Sequence, residues 1–420
     1  MTLPWAYSSF QFTLGVIMLT DKHIDIIKST IPLLENAGPA LTDHFYQRLF
    51  SHNPELKDIF NMANQHSGRQ QVALFEAIAA YAKNIENLAV LTTAVERIAQ
   101  KHTSFNIKAP HYAVVGHHLI ETLRELASDA FTAEVEEAWT AAYQFLAQIF
   151  IDREAELYQQ RAETLGGWRD ARTFTVVDKI VESKLVTSFI FMPVDDKPVI
   201  AYLPGQYLGI EVCDPNREFK EIRQYSLSDK ANNETYRISV KRELAEVAGA
   251  TAKKLAPKGI VSNYLHDDLQ LGDEIDLYAP AGDFFFTDRQ APVVLLSAGV
   301  GITPMQAMLE TLAQQGYNES VHYLHACENS EQHSFAARTT ELINENNWQQ
   351  NIWYRNEVVE QDYIHHGMMD LTKVDLPIEQ GNFYLCGPIA FMQFAKQQLL
   401  NLGVVASNIH YEVFGPHADL

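Results

Sequence analysis

The chain has 420 residues, too many for one hydrophobic core, so two or three domains are expected. A formal net charge of -21 argues against a nucleic-acid backbone or an anionic membrane as partner, since either calls for clustered Lys and Arg. Cys213, Cys327 and Cys386 lie too far apart for a disulfide framework, a zinc site or an iron–sulfur site, and no apolar run approaches the roughly 20 residues needed for stable membrane insertion; a reducing cytoplasm is the expected location.

Residues 1–17 are apolar but carry no basic residue ahead of the apolar part, so they read as an extension and not as a signal peptide. A helix is expected from Thr20 or Asp21, with Ile24, Ile27 and Ile31 on one face. From 18 to about 163 the pattern is helical, which predicts an all-α domain. Within it Tyr46 shares a face with Phe45, Leu49 and Phe50, and Gln70 lies one turn before Leu74, in line with Ile78 and Tyr81. Taken singly, Tyr46 reads as a packed aromatic and Gln70 as a solvated helix residue.

The stretch ERIAQKHTSFN, residues 96–106, raises a sharper question. Val95, Ile98, Ala99, His102 and Phe105 follow helical spacing, which points the imidazole inward while Glu96, Arg97, Gln100 and Lys101 project elsewhere. A satisfied core histidine and a metal or haem ligand both remain open for His102.

Gly166 and Gly167 then break the helical pattern, and TFTVVDKIV, SFIFMPV, QYLGIEV and YRISVKR alternate as strands do. Tyr207 lies in LPGQYLGI. In RQYS, Arg223 offers a fixed cation for a diphosphate, Tyr225 an aromatic face for a flat ring, and Ser226 a hydroxyl for its polar edge, with Gln224 between them. An ordinary strand with exposed Arg and Tyr fits RQYS equally well. The segment 243–259, ELAEVAGATAKKLAPKG, reads as a helix-prone insertion without an assigned role; after it Ser262 and Asn263 fall where a helix start would favour a phosphate.

Near 290 the texture changes again to strand, Gly-rich turn, helix, strand, the start of a parallel α/β sheet. SAGVGITPM places Gly299, Val300, Gly301, Ile302, Thr303 and Pro304 at a strand-to-helix turn that lets a dinucleotide approach the backbone closely. FYLCGP repeats the arrangement with Cys386, Gly387 and Pro388. YEVFGP brings Glu412, Val413, Phe414, Gly415 and Pro416 near the end of the chain, where an aromatic can cover a flavin ring.

In order and spacing, over about 250 residues, these segments resemble the ferredoxin-reductase-like family. The helical part resembles a bacterial globin: NPELKDIFNMANQ carries Phe60 where globins wedge a phenylalanine against the haem, and AQKHTSFNI matches the proximal-histidine helix. Globin followed by reductase is the order of the flavohaemoproteins, and the match runs from Met18 to Leu420.

That resemblance implies three domains: a globin over 18–163 holding haem b, an antiparallel β-barrel over 164–287 holding FAD, and an α/β domain over 288–420 binding NADH or NADPH. It implies His102 as the proximal iron ligand, Tyr46, Gln70 and Leu74 on the distal side, and Tyr112 with Glu154 as a proximal hydrogen-bonded pair. Lys101 and Glu412, by themselves solvated charges, would tune electron transfer near haem and flavin. The implied activity is nitric oxide dioxygenation, with NO and O2 as partners and no obligate protein partner. A haemless flavin reductase serving a partner carrier, and a haem-based oxygen or redox sensor, are the competing classes. Glu328 in HACENSEQHSF, without an Arg cluster beside it in sequence, leans towards NADH.

Overall fold

The computed structural model describes residues 19–60, 69–247, 255–256 and 258–415. Helix α1 (Asp21–Ala37) opens on Thr20, whose hydroxyl accepts from the His23 N–H at 3.2 Å, so the expected cap forms. There follow α2 (Pro39–His52), α3 (Arg69–Lys83), α4 (Thr92–Ser104), α5 (Ala109–Ala127) and α6 (Ala133–Glu163). Residues 1–17, expected to be an extension, and Pro416 lie outside the described residues.

The chain forms two compact units. The first is helical and takes the chain up to Pro54, Leu74–Val95 and Lys108–Arg153. Leu41, Phe45 and Leu49 of α2 and Ala138 and Ala142 of α6 are buried in it. Two of its buried aromatic side chains find polar partners: the Trp139 indole donates to the Thr30 hydroxyl at 3.1 Å, and the Tyr81 hydroxyl to the Ala142 carbonyl at 2.9 Å.

The second unit takes Glu55–Ala73, Glu96–Ile107 and everything from Glu154 onwards. Its first sheet is antiparallel, built from β1 (Arg172–Val181), β2 (Val186–Pro193), β3 (Tyr207–Val212), β4 (Glu221–Ser226), β5 (Tyr236–Lys241) and β8 (Glu274–Ala281) in the order β4-β3-β8-β1-β2-β5. An antiparallel bridge from Leu227 to Ile238 joins the β4 edge to β5, closing the sheet into the expected small barrel. Phe174, Phe189, Phe191, Tyr236 and Leu277 fill its core. Within the segment read as a helix-prone insertion, β6 (Glu246–Val247) and β7 (Leu255–Ala256) form a two-stranded antiparallel pair, so strand pairing overrides helix propensity at these four residues, while 248–254 and 257 lie outside the described residues. Helix α7 (Ile260–Asp267) follows.

The second sheet is parallel, from β9 (Val293–Ala298), β10 (Val321–Cys327), β11 (Gln349–Tyr354), β12 (Ile364–His366), β13 (Asn382–Cys386) and β14 (Ile409–Glu412). Helices α8 (Ile302–Gln315), α9 (Ala336–Glu345) and α10 (Ile389–Leu402) intervene. The order is β12-β11-β10-β9-β13-β14. From β9 the chain runs outwards to one side and then returns to β13 on the other, which opens a crevice at the carboxyl ends of β9 and β13. Both sheet faces are covered: Leu295, Tyr323 and Tyr354 pack in one cluster, Val294, Leu296, Trp353 and Phe383 in another.

Candidate functional site

Helix α4 ends on Asn106, a left-handed residue at φ 57°, and the Ile107 N–H closes back on the His102 carbonyl at 3.1 Å. That turn fixes the backbone around His102. Its Nδ1 lies 2.8 Å from Glu154 Oε1, a carboxylate only 3% exposed, whereas the imidazole itself is 33% exposed. A core histidine would be covered on all sides. Here a buried carboxylate holds one ring nitrogen from behind, the arrangement that orients Nε2 towards a metal and raises its basicity, so the donor set suits haem iron.

The rest of α4 departs from the expectation that its polar side is solvated. Arg97 reaches Asp283 at 3.3 Å. Gln100 Oε1 accepts from Arg161 at 2.5 Å and from the Gly282 N–H at 3.2 Å. Arg161 also donates to the Thr103 hydroxyl at 2.5 Å, and Lys101 donates to the Gly415 carbonyl. A Cβ on Gly209 would stand 2.2 Å from the Ser104 carbonyl, so the end of α4 lies directly against β3. Burial lowers the Lys101 pKa; burial also pushes the Glu412 carboxyl up to about 7, against the opposing pull of Lys101. Neither Lys101 nor Glu412 is the solvated charge that it reads as by itself. Gln100, Arg97, Arg161 and Asp283 were not singled out from sequence, because a charged helix face gives no sign of what covers it.

Tyr46 is 5% exposed, with the Phe45 ring edge-on at 5.0 Å and Phe50 stacked at 5.8 Å. In the other unit, Gln70 on α3 has its Oε1 buried without a hydrogen-bond partner among the described residues, an acceptor that suits a polar ligand and not a solvated side chain. Leu74 is half-buried, as is Phe60 after the turn Pro54–Asp58. Tyr112 stacks on Phe150 at 6.3 Å.

The flavin residues fall on two neighbouring strands of the barrel. Tyr207 opposes Ser226 and Gly209 opposes Gln224 across β3 and β4. The Gln224 Nε2 is buried with no partner among the described residues, a donor ready for a heterocycle edge. Arg223 donates to Glu221 at 2.8 Å, and Arg217 approaches the same carboxylate at 3.4 Å, so two cations face one anion and a surplus positive charge remains for a diphosphate. Burial raises the pKa of Tyr207 and of Tyr225, keeping both as neutral phenols. Ser262 and Asn263 do fall in the first turn of α7, but their side chains bond the backbone of Glu243 and Gly259, leaving only main-chain N–H groups to point at a phosphate. Phe414 is exposed and Val413 buried.

At the crevice, Gly299 has φ +52° and a Cβ there would meet no atom within 4 Å, so a ligand can approach that backbone. A Cβ on Gly301 would stand 2.3 Å from the Cys386 carbonyl. The two predicted turns, Gly299–Pro304 and Cys386–Pro388, therefore touch. Thr303 bonds back to the Val300 carbonyl at 3.0 Å, and Ile302 is fully buried. Beside them Glu328 does have a cation nearby: Arg355, distant in sequence, lies 3.5 Å away, and Asn356 donates to Glu328 at 2.6 Å. That is one Arg with its charge already paired, not a cluster.

The comparisons agree with this arrangement. The globin family profile matches residues 43–150, the oxidoreductase FAD-binding domain profile 173–286 and the oxidoreductase NAD-binding domain profile 295–397. A flavohaemoprotein of Vibrio cholerae serotype O1 is 62% identical over 403 residues, 96% of this chain and 100% of its own. The solved FAD/NAD-binding domain of nitric oxide dioxygenase from Vibrio cholerae O1 biovar El Tor is 53% identical, covering 59% of this chain and 100% of its own, with a TM-score of 0.54. The solved flavohaemoglobin of Malassezia yamatoensis, with bound FAD and haem, is 26% identical over 94% of this chain and 100% of its own, with a TM-score of 0.81. With a helical globin part, an FAD barrel and an NAD-binding parallel sheet in that order, the chain belongs to the flavohaemoprotein family.

Proposed function

We propose that the protein is a nitric oxide dioxygenase that uses NAD(P)H to convert two NO and two O2 to two nitrate, with release of NAD(P)+ and one proton. What most supports this reading is His102, held on Nδ1 by the buried Glu154, on a helix that rests against the flavin barrel. When bound, FAD splits a hydride pair into single electrons, and haem is where O2 and NO combine. Domain limits of 18–163, 164–287 and 288–420 go with these three tasks.

The residues act in order along the electron path. Gly299 and Gly301 let the dinucleotide approach the crevice, and the Cys386–Pro388 turn walls the nicotinamide end. Arg223, Gln224, Tyr225, Ser226 and Tyr207 would hold the flavin, with Phe414 to cover its ring. Glu154 accepts the His102 Nδ1–H, which would make Nε2 a more basic ligand for iron and favour oxygen activation over storage. The family resemblance would pair Tyr112 with Glu154. It would also make the Tyr46 hydroxyl and the Gln70 amide polar contacts for a diatomic ligand, with Phe60 and Leu74 as apolar contacts. Lys101 and Glu412 would tune the passage of electrons. Glu328 selects NADH through a ribose hydroxyl, Arg355 being already paired. NO and O2 are small molecules, so no protein partner is needed, and the detoxifying role belongs in the cytoplasm.

The test is the absorption spectrum of purified protein before and after NADH. A Soret band, flavin absorbance and NADH-driven haem reduction are expected, with NO consumed to nitrate. A haem-reconstituted preparation showing flavin alone overturns the reading, as does a His102→Ala variant that keeps a normal Soret band.

A further inference from the structure

Glu211 is a carboxylate 9% exposed on β3, and the reaction makes no use of it. It lies two residues beyond Gly209, on the same side of the strand, where Gly209 meets the end of α4. Tyr278 of β8 donates to Glu211 Oε2 at 2.5 Å, and Lys220 Nζ lies 3.0 Å from each Glu211 oxygen. The Tyr278 ring lies 3.1 Å from where a Cβ on Gly209 would stand, and the Ser104 carbonyl at the end of α4, two positions after His102, lies 2.2 Å from the same point. On the other side the Lys220 backbone N–H donates to Asp58 at 3.0 Å, and Lys57 lies over the Phe219 ring at 5.0 Å. One buried carboxylate thus ties the cap of the His102 helix, and the turn that leads to Phe60, to a single wall of the flavin barrel.

We propose that Glu211, acting through Tyr278, is a positioning residue that fixes the seat of the His102 helix on the flavin barrel and so sets the rate of electron passage from FAD to haem. The inference rests on the reading above and deepens it. Apolar packing at this contact would leave α4 able to slide, because dispersion contacts have no direction. A buried ion pair adds little net stability, since desolvation offsets its attraction. What it supplies here is geometry: Glu211 accepts from β8 and from the β3–β4 loop at once, which leaves Tyr278 one orientation in which to back the Gly209 contact with α4. Small displacements between reacting groups are costly, on the order of a hundredfold in rate per ångström, so holding one helix cap matters.

The experiment uses the holoprotein with Tyr278→Phe and Glu211→Gln. Tyr278→Phe loses one hydroxyl from a packed core position, so it keeps the fold while cutting the link. In anaerobic stopped-flow with NADH, flavin bleaching is expected at the wild-type rate in both variants, while haem reduction slows about tenfold in Tyr278→Phe. Glu211→Gln, which still accepts from Tyr278, is expected to slow it less. Hydrogen exchange at the amides of Phe105–Ile107 is expected to quicken in the order wild type, Glu211→Gln, Tyr278→Phe. Wild-type haem reduction and exchange in Tyr278→Phe would overturn the proposal and leave the dioxygenase reading standing. Flavin bleaching slowed as much as haem reduction would overturn it too, since the defect would then lie at the flavin. If wild-type protein itself passes no electrons to haem, the dioxygenase reading falls first and takes this inference with it.

Discussion

Glu154 shows how much of the site rests on one side chain. Its carboxylate is 3% exposed and has His102 Nδ1 at 2.8 Å, so its charge acts on the imidazole with little screening by water. Glu154→Gln keeps the shape and an acceptor oxygen but removes the charge. The expected outcome is a fall of about tenfold to a hundredfold in NO turnover with haem retained. A lower iron–histidine stretching frequency should accompany it in resonance Raman spectra. An unchanged frequency would mean that the carboxylate only orients the ring. At this scale the sequence was informative where a periodic pattern carried the message: helical spacing turned His102 towards the inside. It was silent on Gln100, Arg97 and Arg161, whose partners Gly282, Asp283 and Thr103 include residues nearly two hundred positions away. No local pattern encodes such a pairing.

Among elements, the two glycines of the β9–α8 turn separate strain from collision. Gly299 sits at φ +52° with open space around it, so Gly299→Ala meets only the backbone cost of a left-handed residue, about 1–2 kcal/mol. Gly301 has an ordinary φ but faces the Cys386 carbonyl, and a Cβ 2.3 Å from backbone oxygen forces the β9 and β13 turns apart. Gly301→Ala is therefore expected to raise the KM for NADH more than Gly299→Ala does, with the Soret spectrum and dithionite-reduced haem unchanged in both. Equal KM effects would show that contact between the two turns does not shape the crevice. The alternating strands and the Gly-rich turns of this half were readable from sequence because each is a local pattern. Barrel closure through Leu227 and Ile238 was not, since it depends on two edges meeting. At Glu246–Val247 and Leu255–Ala256 the helix-prone reading misled for the converse reason: the composition of 243–259 favours a helix locally, and pairing of these two short strands decides otherwise.

For the whole molecule, the three-part order was legible from changes of texture near 166 and 290, but the compact units do not follow it, since Glu96–Ile107 groups with the reductase strands. Acid stability is a property at this scale, and it follows from buried histidines of the parallel sheet. His333 stacks on His325 at 5.0 Å and meets the Tyr354 hydroxyl at 3.0 Å, while His325 meets the Ser297 hydroxyl at 2.8 Å. Burial holds His333 and His410 down to about 4 and His325 well below its ordinary 6.5. A histidine whose folded pKa is depressed binds fewer protons folded than unfolded, so its contribution is full above pH 6.5 and lost as pH falls towards 4. Glu412 runs the other way: its folded pKa of about 7 lies above the ordinary 4.5, so its contribution is full below 4.5 and lost as pH rises to 7. Glu182 is raised in the same way, but His266, His322 and His365 are lowered as well, so the depressed histidines outnumber the raised carboxylates and the histidine sign wins. The midpoint of urea unfolding is expected to fall steadily from pH 6.5 to pH 4. His333→Phe should flatten that slope by up to about 3 kcal/mol across the window, because it removes one of these protonations. A midpoint that rises on acidification, or a variant slope equal to that of the wild type, would show that these rings are solvated and titrate normally.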